Sequence, residues 1–441
     1  MTKPSVKETF QIGMDEKVGG VELAFEKLFE PIKIGDVEIG NRIAMSPMNM
    51  TFSTQDGYVT NQNIAWHARR AKGGFGLIIT DCIIATRLAA PFVFHRNLYL
   101  YDESFVPGLN RIVEAVHEFG AKIFAQISIG FGRQGHALDG SKPYAPSAIP
   151  VEIPIEMLPK PLQPLKDRPA LKQYLRMDTP REMTIEEILN EEEAYAEACV
   201  RAVSAGFDGI EIHAPHGYLE HQFLSPRSNK RTDLYGGSLE NRMRFIVEVT
   251  EHAVKAVKGA VPVGVRLSCA EHMPEGFTLD EVKVVAKKLQ DIGLSYWNVS
   301  DGSYEALKYF FPEDMEHVEK HLLKEVQELK EVLDIPIITP SIHDPIIANR
   351  AISEGITDIV SLGRQAIADP DWPNKVKEGK VDKIRRCNRC WQCLLRCLVG
   401  LYPRCAVNPE AGFEEYDSEL FPKKRKGAVL PSSLVKWQTA D

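Results

Sequence analysis

Eight short apolar runs, separated by longer amphipathic segments across residues 43–362, constrain this chain more than any other feature. The runs are Ile43–Ser46, Leu77–Asp81, Lys122–Ser128, Gly209–His213, Val263–Leu267, Trp297–Ser300, Ile335–Thr339 and Ile359–Leu362. Continuous Val/Ile/Leu runs of this length suit strands buried on both faces, and parallel neighbours need a crossover between them. Helical periodicity fills the gaps, notably over Ile185–Ala205, Glu240–Val257, Leu279–Ile292 and Val318–Val332. Thr184 with Glu187 reads as a capping box, and Gly206 as a helix stop. The pattern predicts an α/β chain folded as a (β/α)8 TIM barrel. An open doubly wound sheet is the competing layout, but no GxGxxG follows the first strand.

A barrel carries its chemistry at the carboxyl ends of its strands. Ser46-Pro47-Met48-Asn49 follow the first run, and Gln126 lies in the third. His213, His216 and Tyr218 follow the fourth, and Arg266 lies in the fifth. Thr339-Pro340-Ser341 end the seventh, and Gly363-Arg364 follow the eighth. Two imidazoles and a phenol after a buried strand suit polarisation of a substrate oxygen and delivery of a proton. The blander reading is a long polar loop whose side chains satisfy backbone groups. Residues 146–180 hold eight prolines and are expected to form a substrate-shaping lid over the catalytic face, rather than a rigid surface decoration.

The net charge of −8 argues against a nucleic-acid surface. The basic run Lys423-Lys424-Arg425-Lys426 is expected to be a solvated tail. No apolar run reaches membrane-spanning length and residues 1–24 lack the apolar middle of a signal peptide, so a cytoplasmic protein without a membrane span is expected. Five of the eight cysteines fall between Cys387 and Cys405, which points to metal ligation rather than disulfides. Cys82, Cys199 and Cys269 are scattered and read as small buried hydrophobes. Cys387, Cys390 and Cys393 can converge on one iron–sulfur cubane, with Cys397 or Cys405 as fourth ligand. A four-thiolate zinc site normally uses two separated Cys-x-x-Cys knuckles, and one such run is present.

The segments GNRIAMSPM (40–48), FAQIS (124–128), HAPHGYLEHQFLSPRSNKRTDLYGGSLENR (213–242), VRLS (265–268) and VSLGRQAIADP (360–370) resemble the old yellow enzyme family of FMN-dependent ene-reductases. With the cysteines, the chain is similar to that family's iron–sulfur branch of 2,4-dienoyl-CoA reductases, 2-enoate reductases and trimethylamine dehydrogenase. The resemblance implies FMN above the barrel mouth. Arg364, Gly363 and Ser341 would then hold its phosphate, Arg266 and Gln126 its pyrimidine edge, and Pro47, Met48 and Asn49 would lie along the ring. His213 and His216 align with the pair that holds the substrate's electron-withdrawing oxygen, and Tyr218 with the residue that protonates the α-carbon. The spacing to Cys405-Ala-Val-Asn408 matches the family's fourth ligand, so the implied [4Fe-4S] set is Cys387, Cys390, Cys393 and Cys405, with Cys397 spare.

Three positions depart from the family pattern. Asn49 stands where relatives carry Thr, Cys or other small residues. Pro340-Ser341 stand where a glycine is usual, and Pro340 offers no N–H to a phosphate. Tyr304 lies near where dienoyl-CoA reductases place a histidine, which makes it a candidate substrate contact or second acid and leaves a dienoyl-CoA substrate unsupported.

The resulting division is an N-terminal arm (1–24), an FMN-binding barrel (25–380), a [4Fe-4S]-binding segment (381–415) and a C-terminal tail (416–441). The expected function is reduction of an activated C=C bond, of enone or enoate type, by hydride from flavin N5 plus a proton from Tyr218, with electrons entering through the cluster. The alternative runs in reverse: a dehydrogenase of an amine or similar substrate passing electrons outward to a carrier protein. A non-catalytic electron relay on a flavin barrel is a third reading. Neither an FAD nor a pyridine-nucleotide fingerprint occurs in the sequence, so a separate electron-donor protein or reductase subunit is the expected partner beside the small-molecule substrate. Association into a homo-oligomer is compatible with such barrels.

Overall fold

The eight apolar runs become eight parallel strands: β1 Ile43–Met45, β2 Leu77–Ile79, β3 Lys122–Ser128, β4 Gly209–His213, β5 Val263–Ser268, β6 Tyr296–Ser300, β7 Ile337–Pro340 and β8 Ile359–Leu362. Their order is sequential from β1 to β8, and β8 pairs with β1, so the sheet closes on itself. This is the (β/α)8 barrel expected from the run spacing. The fold is that of a computed structural model, which describes residues 25–92, 96–136, 140–160, 162–167, 175–312 and 315–422. Residues 1–24, read above as an arm, and the basic run 423–426 lie outside the described residues.

Each strand is followed by a helix packed outside the barrel: α1 Asn61–Lys72, α2 Val106–His117, α3 Ile185–Ser204, α4 Arg244–Val257, α5 Leu279–Asp291, α6 Leu323–Lys330, α7 Pro345–Ser353 and α8 Arg364–Ala368. Thr60, Thr184 and Thr278 each close a capping box on the residue three positions on, which fixes where α1, α3 and α5 begin. Gly206, just beyond α3, takes a φ of +91° and stops it. The helix expected over residues 240–257 breaks at Met243. Arg242 turns inward there to donate to the carbonyls of Leu224 and Gly237, and Ser238 caps the short preceding turn. Strand β7 starts at Ile337 rather than Ile335, since Pro336 cannot donate to a ladder.

The barrel interior is layered. A hairpin, Ile32–Ile34 with Val37–Ile39, sends Ile34 and Ile39 into a cluster with Ala44, Leu77, Phe124 and Ile359 near the amino ends of the strands. Above it, Glu211, Gln126, Asn298 and Tyr296 form a buried polar layer. The rings of Phe124 and Tyr296 fill the space that side chains at Gly209 and Gly264 would need: an added Cβ would lie 2.6 Å and 2.1 Å from them.

Among the described residues of the Pro-rich insertion, none lines the cleft described below. The insertion's base is a short parallel pairing of Tyr144–Ala145 with Arg181–Glu182. Ile153, Leu158 and Leu162 bury themselves against Leu307 of the β6 loop and Trp391 of the cysteine segment. It therefore braces the loop after β6. The chain after the cysteines is fastened to α1 by a buried ion pair, Arg70 to Glu414 at 2.8 Å, and to α8 by Asn408 donating to the Ile367 carbonyl at 2.8 Å. No helix among the described residues is long and apolar enough to cross a membrane.

Because Tyr296 has no room to withdraw, Gly264→Ala overpacks the barrel centre and is expected to cost about 1–3 kcal/mol of stability. Urea unfolding of the variant beside the parent chain checks this; an unshifted midpoint would show that the interior accommodates the methyl group.

Candidate active site

One cleft opens at the carboxyl ends of the strands, enclosing about 1400 Å³ of non-protein space up to its mouth. All of Pro47, Met48, Asn49, Gln126, His213, His216, Tyr218, Arg266, Tyr304, Ser341, Gly363 and Arg364 line it, so the strand-end residues picked from the sequence share one space. Cys393 and Cys397 line its edge.

Arg266 sits opposite His213 in the β4–β5 register. Its guanidinium is buried, Nη2 reaches Ser300 Oγ only at 3.5 Å, and Nε has no hydrogen-bond partner. Burial lowers its pKa to about 10 even with Glu211 opposing the shift, so it remains a cation at neutral pH. Glu211 lies in the layer below, accepting from Gln126 Nε2 at 2.8 Å and Asn298 Nδ2 at 2.8 Å. Burial raises the Glu211 carboxyl, and Arg266 partly reverses this. One proton of the Gln126 amide is thus committed downward, leaving the other and the amide oxygen for a ligand.

The loop after β4 is fixed from both sides. His216 adopts a φ of +65°, an unusual conformation for a residue with a Cβ. Its carbonyl accepts from Gln134 Nε2 at 3.0 Å and from the Tyr304 N–H at 3.1 Å. Its Nε2 lies 2.6 Å from Ser300 Oγ, and its ring stacks on Phe310 at 3.6 Å. His213 packs against His216 and Tyr218, with ring centroids 5.6 and 5.1 Å away, and its buried Nδ1 lacks a partner. The Tyr218 hydroxyl donates to Tyr304 at 3.0 Å. Burial, then the Tyr304 phenol, push the Tyr218 pKa well above its usual value.

At the opposite wall, Arg364 donates through Nη2 to the Pro312 carbonyl at 3.0 Å and leaves Nη1 buried without a partner. Gly363 lies where a Cβ would touch Met48 Sδ at 3.4 Å. The Ser341 N–H, in a residue with a φ of +71°, is spent on the Ser361 carbonyl at 3.2 Å, so only its hydroxyl remains for a ligand. Asn49 spends its side-chain oxygen on the Thr51 N–H at 3.1 Å. Two orphaned guanidinium nitrogens in one cleft fit a group with an anionic end and a ring edge that carries hydrogen-bond acceptors, as FMN has.

The cysteines lie beside Arg364. The thiols of Cys387, Cys393 and Cys390 pull its pKa back up against burial. Left-handed turns at Arg389 and Trp391 flank Cys390, and Gln365 of α8 accepts from the Cys387 N–H at 3.0 Å. None of the cysteines is in a disulfide. Electrostatic coupling links Cys387, Cys393 and Cys405 to one another; Cys397 is coupled to Cys393 as well and also contacts Thr51. Among the described residues no three thiols share a sphere of 4.8 Å. A zinc centre, with Zn–S near 2.3 Å, would hold its sulfurs roughly 3.8 Å apart. No three of the described thiols thus stand as close together as a zinc centre would hold them.

Several cleft residues escaped the sequence reading. Ser300 is the last residue of the sixth run, and its role comes from meeting the His216 ring. Phe310 and Phe311 form an aromatic pair in the loop after the sixth run, and His343 lies four residues past the end of the seventh. The strand-end rule would have reached both.

A family model described as NADH:flavin oxidoreductase / NADH oxidase family matches residues 27–383. Similar proteins include a NADH oxidase of Thermoanaerobacter brockii, 38% identical over 427 residues, covering 94% of this chain and 61% of the relative. A cinnamate reductase of Clostridium sporogenes is 36% identical over 441 residues, covering 94% of this chain and 63% of the relative. Among solved structures, a 2-naphthoyl-CoA reductase in complex with 2-naphthoyl-CoA superposes with a TM-score of 0.78 at 30% identity, over 88% of this chain and 58% of that one. The chain thus spans about three fifths of the length of these relatives.

Burial, reinforced by Arg266, holds the pKa of both His213 and His216 well below the ordinary 6.5. Unfolded, the same imidazoles take up protons first, so their contribution to stability is complete above pH 6.5 and declines as pH falls below it. Nitrogen-15 spectra of labelled histidine at pH 6 are expected to show both rings uncharged; imidazolium signals assigned to either would contradict the described burial.

Proposed function

The chain belongs to the NADH:flavin oxidoreductase / NADH oxidase family, and from that premise we propose that it reduces an activated C=C bond, of enone or enoate type, with FMN and a [4Fe-4S] cluster as resident cofactors. The observation that carries this reading is the convergence in one cleft of His213, His216 and Tyr218 with two arginines whose buried N–H groups lack partners. Arg364, Gly363 and the Ser341 hydroxyl would hold the FMN phosphate, with Arg266 and Gln126 on the pyrimidine edge and Pro47, Met48 and Asn49 against the ring. Bound FMN supplies the hydride. Cys387, Cys390, Cys393 and Cys405 would hold the cluster, with Cys397 spare. The cluster supplies single-electron transfer, and exposed Cys390 places its ligand segment within reach of an electron-donor protein or domain.

The residues divide the remaining work. His213 and His216, kept neutral by burial, donate hydrogen bonds to the substrate's carbonyl or carboxylate oxygen without forming a costly buried ion pair. Withdrawing charge through that oxygen makes the β-carbon electrophilic. Tyr218 keeps its proton across the physiological range and gives it to the α-carbon as negative charge develops there. Tyr304, hydrogen-bonded to Tyr218, orients the phenol and can donate its own hydroxyl proton to the Tyr218 phenolate left once Tyr218 has given its proton to the α-carbon. Phe310 and Phe131 pack beside these groups and limit water entry.

Anaerobic stopped-flow absorbance tests the reading. Protein reduced by dithionite is expected to be reoxidised by enones or enoates, and Tyr218→Phe to slow that step by about 10²–10⁴-fold. Bleaching of the oxidised flavin by an amine alone, with every alkene inert, would instead establish the dehydrogenase direction. The ligand set is tested separately: Cys405→Ser is expected to lose the broad dithionite-bleachable shoulder and the bound iron, and Cys397→Ser to retain both. The reverse outcome would move the fourth ligand to Cys397.

A further inference from the structure

At the edge of the cleft, three residues with metal-ligating side chains meet. His272 follows β5, Asp301 follows β6, and Glu325 lies in α6; their ligand atoms fall within 4.8 Å of one another. His272 Nε2 is 2.6 Å from Asp301 Oδ1 and 3.6 Å from Glu325 Oε1. Asp301 is only 4% exposed, and its second oxygen, Oδ2, is buried with no hydrogen-bond partner. Glu325 Oε2 is buried and unpartnered too. We propose that His272, Asp301 and Glu325 form a binding site for a divalent transition-metal ion, separate from the cysteine segment.

The unsatisfied oxygens are the physical reason. Two carboxylates buried against one imidazole leave Asp301 Oδ2 and Glu325 Oε2 without a hydrogen-bond partner, and each carries an unmet desolvation cost. The nearby Glu328 adds negative charge and Lys308 offsets only part of it. A divalent ion with a neutral imidazole and two carboxylates sums to zero and takes up both free oxygens. One nitrogen and two carboxylate oxygens match the mixed N/O preference of Zn²⁺ or Mn²⁺, and the three-ligand set leaves positions for water.

The location gives such an ion a task. Asp301 adjoins Ser300, the partner of His216, and itself lines the cleft. Tyr309 also lines the cleft and stacks on His272 at 4.0 Å, with an interplanar angle of 11°. A bound ion ties the β5 loop and α6 to the segment that carries Tyr304 and Phe310. It therefore clamps the substrate side of the cleft without touching the reacting atoms.

The test is a titration of EDTA-treated full-length protein with Mn²⁺, followed by electron paramagnetic resonance, because thiolates take Mn²⁺ poorly and the cysteine segment then contributes little. The parent chain is expected to bind one equivalent and to melt at higher temperature with the ion present. Glu325→Gln and His272→Gln are each expected to weaken binding by at least about tenfold, a loss typical even of outer-shell changes. Retention of the parent's circular dichroism shows that each variant is folded. Absence of a bound equivalent in the parent chain, or parent-like affinity in both folded variants, would overturn the site.

Discussion

A cation sealed inside the barrel mouth organises much of this structure. Arg266 is almost fully buried, and its guanidinium cannot be neutralised at ordinary pH. The protein balances it from one side only, with Glu211 in the polar layer below. Glu211 is itself held by Gln126, Asn298 and Tyr296, so charges on adjacent strands are tied into a net of buried hydrogen bonds. The other side of Arg266 opens on the cleft with a donor unused. A ligand that places electron density there completes the balance, and the same cation adds to the burial that keeps His213 and His216 uncharged. Arg266 thus bears both on the ligand side of the cleft and on the protonation state of the two rings.

The second constraint is the position of the β6 loop. It carries Tyr304 and Phe310 and is held at Glu305, which pairs with Arg133 after β3 and with Arg227 after β4, and accepts from the Glu152 N–H of the insertion. Removing one member of such a cluster strands buried charge, so the pairs position the loop more than they stabilise the fold. The insertion adds apolar contact on the same loop and reaches Trp391 beside the cysteines. Cleft shape, insertion and cysteine segment are therefore mechanically coupled, although no described residue of the insertion lines the cleft.

What could be read from the sequence followed from periodicity and strand ends. Continuous apolar runs gave all eight strands, within two residues, because a parallel barrel strand is buried on both faces and has a plain signature. His213, Arg266 and Arg364 were legible because polar groups at the ends of such runs have one destination. The partners of those groups were not. Ser300 meets His216 across the intervening β5, and Asn49 turns its oxygen onto Thr51 through a local turn with no sequence mark of its own. Arg364 was expected at a phosphate, and it also stands beside Cys387 and Cys393, since the chain folds back over α8. Pairings that depend on long-range return of the chain leave no periodic trace.

The central claim is that this cleft orients an unsaturated carbonyl or carboxylate compound between the β4 loop and a flavin-shaped wall. A crystal structure of anaerobically purified protein soaked with an α,β-unsaturated carboxylate tests it most directly. The account predicts FMN phosphate density at Arg364, a ligand oxygen on His213 or His216, and the Tyr218 hydroxyl beside the α-carbon. Ligand bound with its oxygen away from both imidazoles, or flavin phosphate away from Arg364, would contradict it.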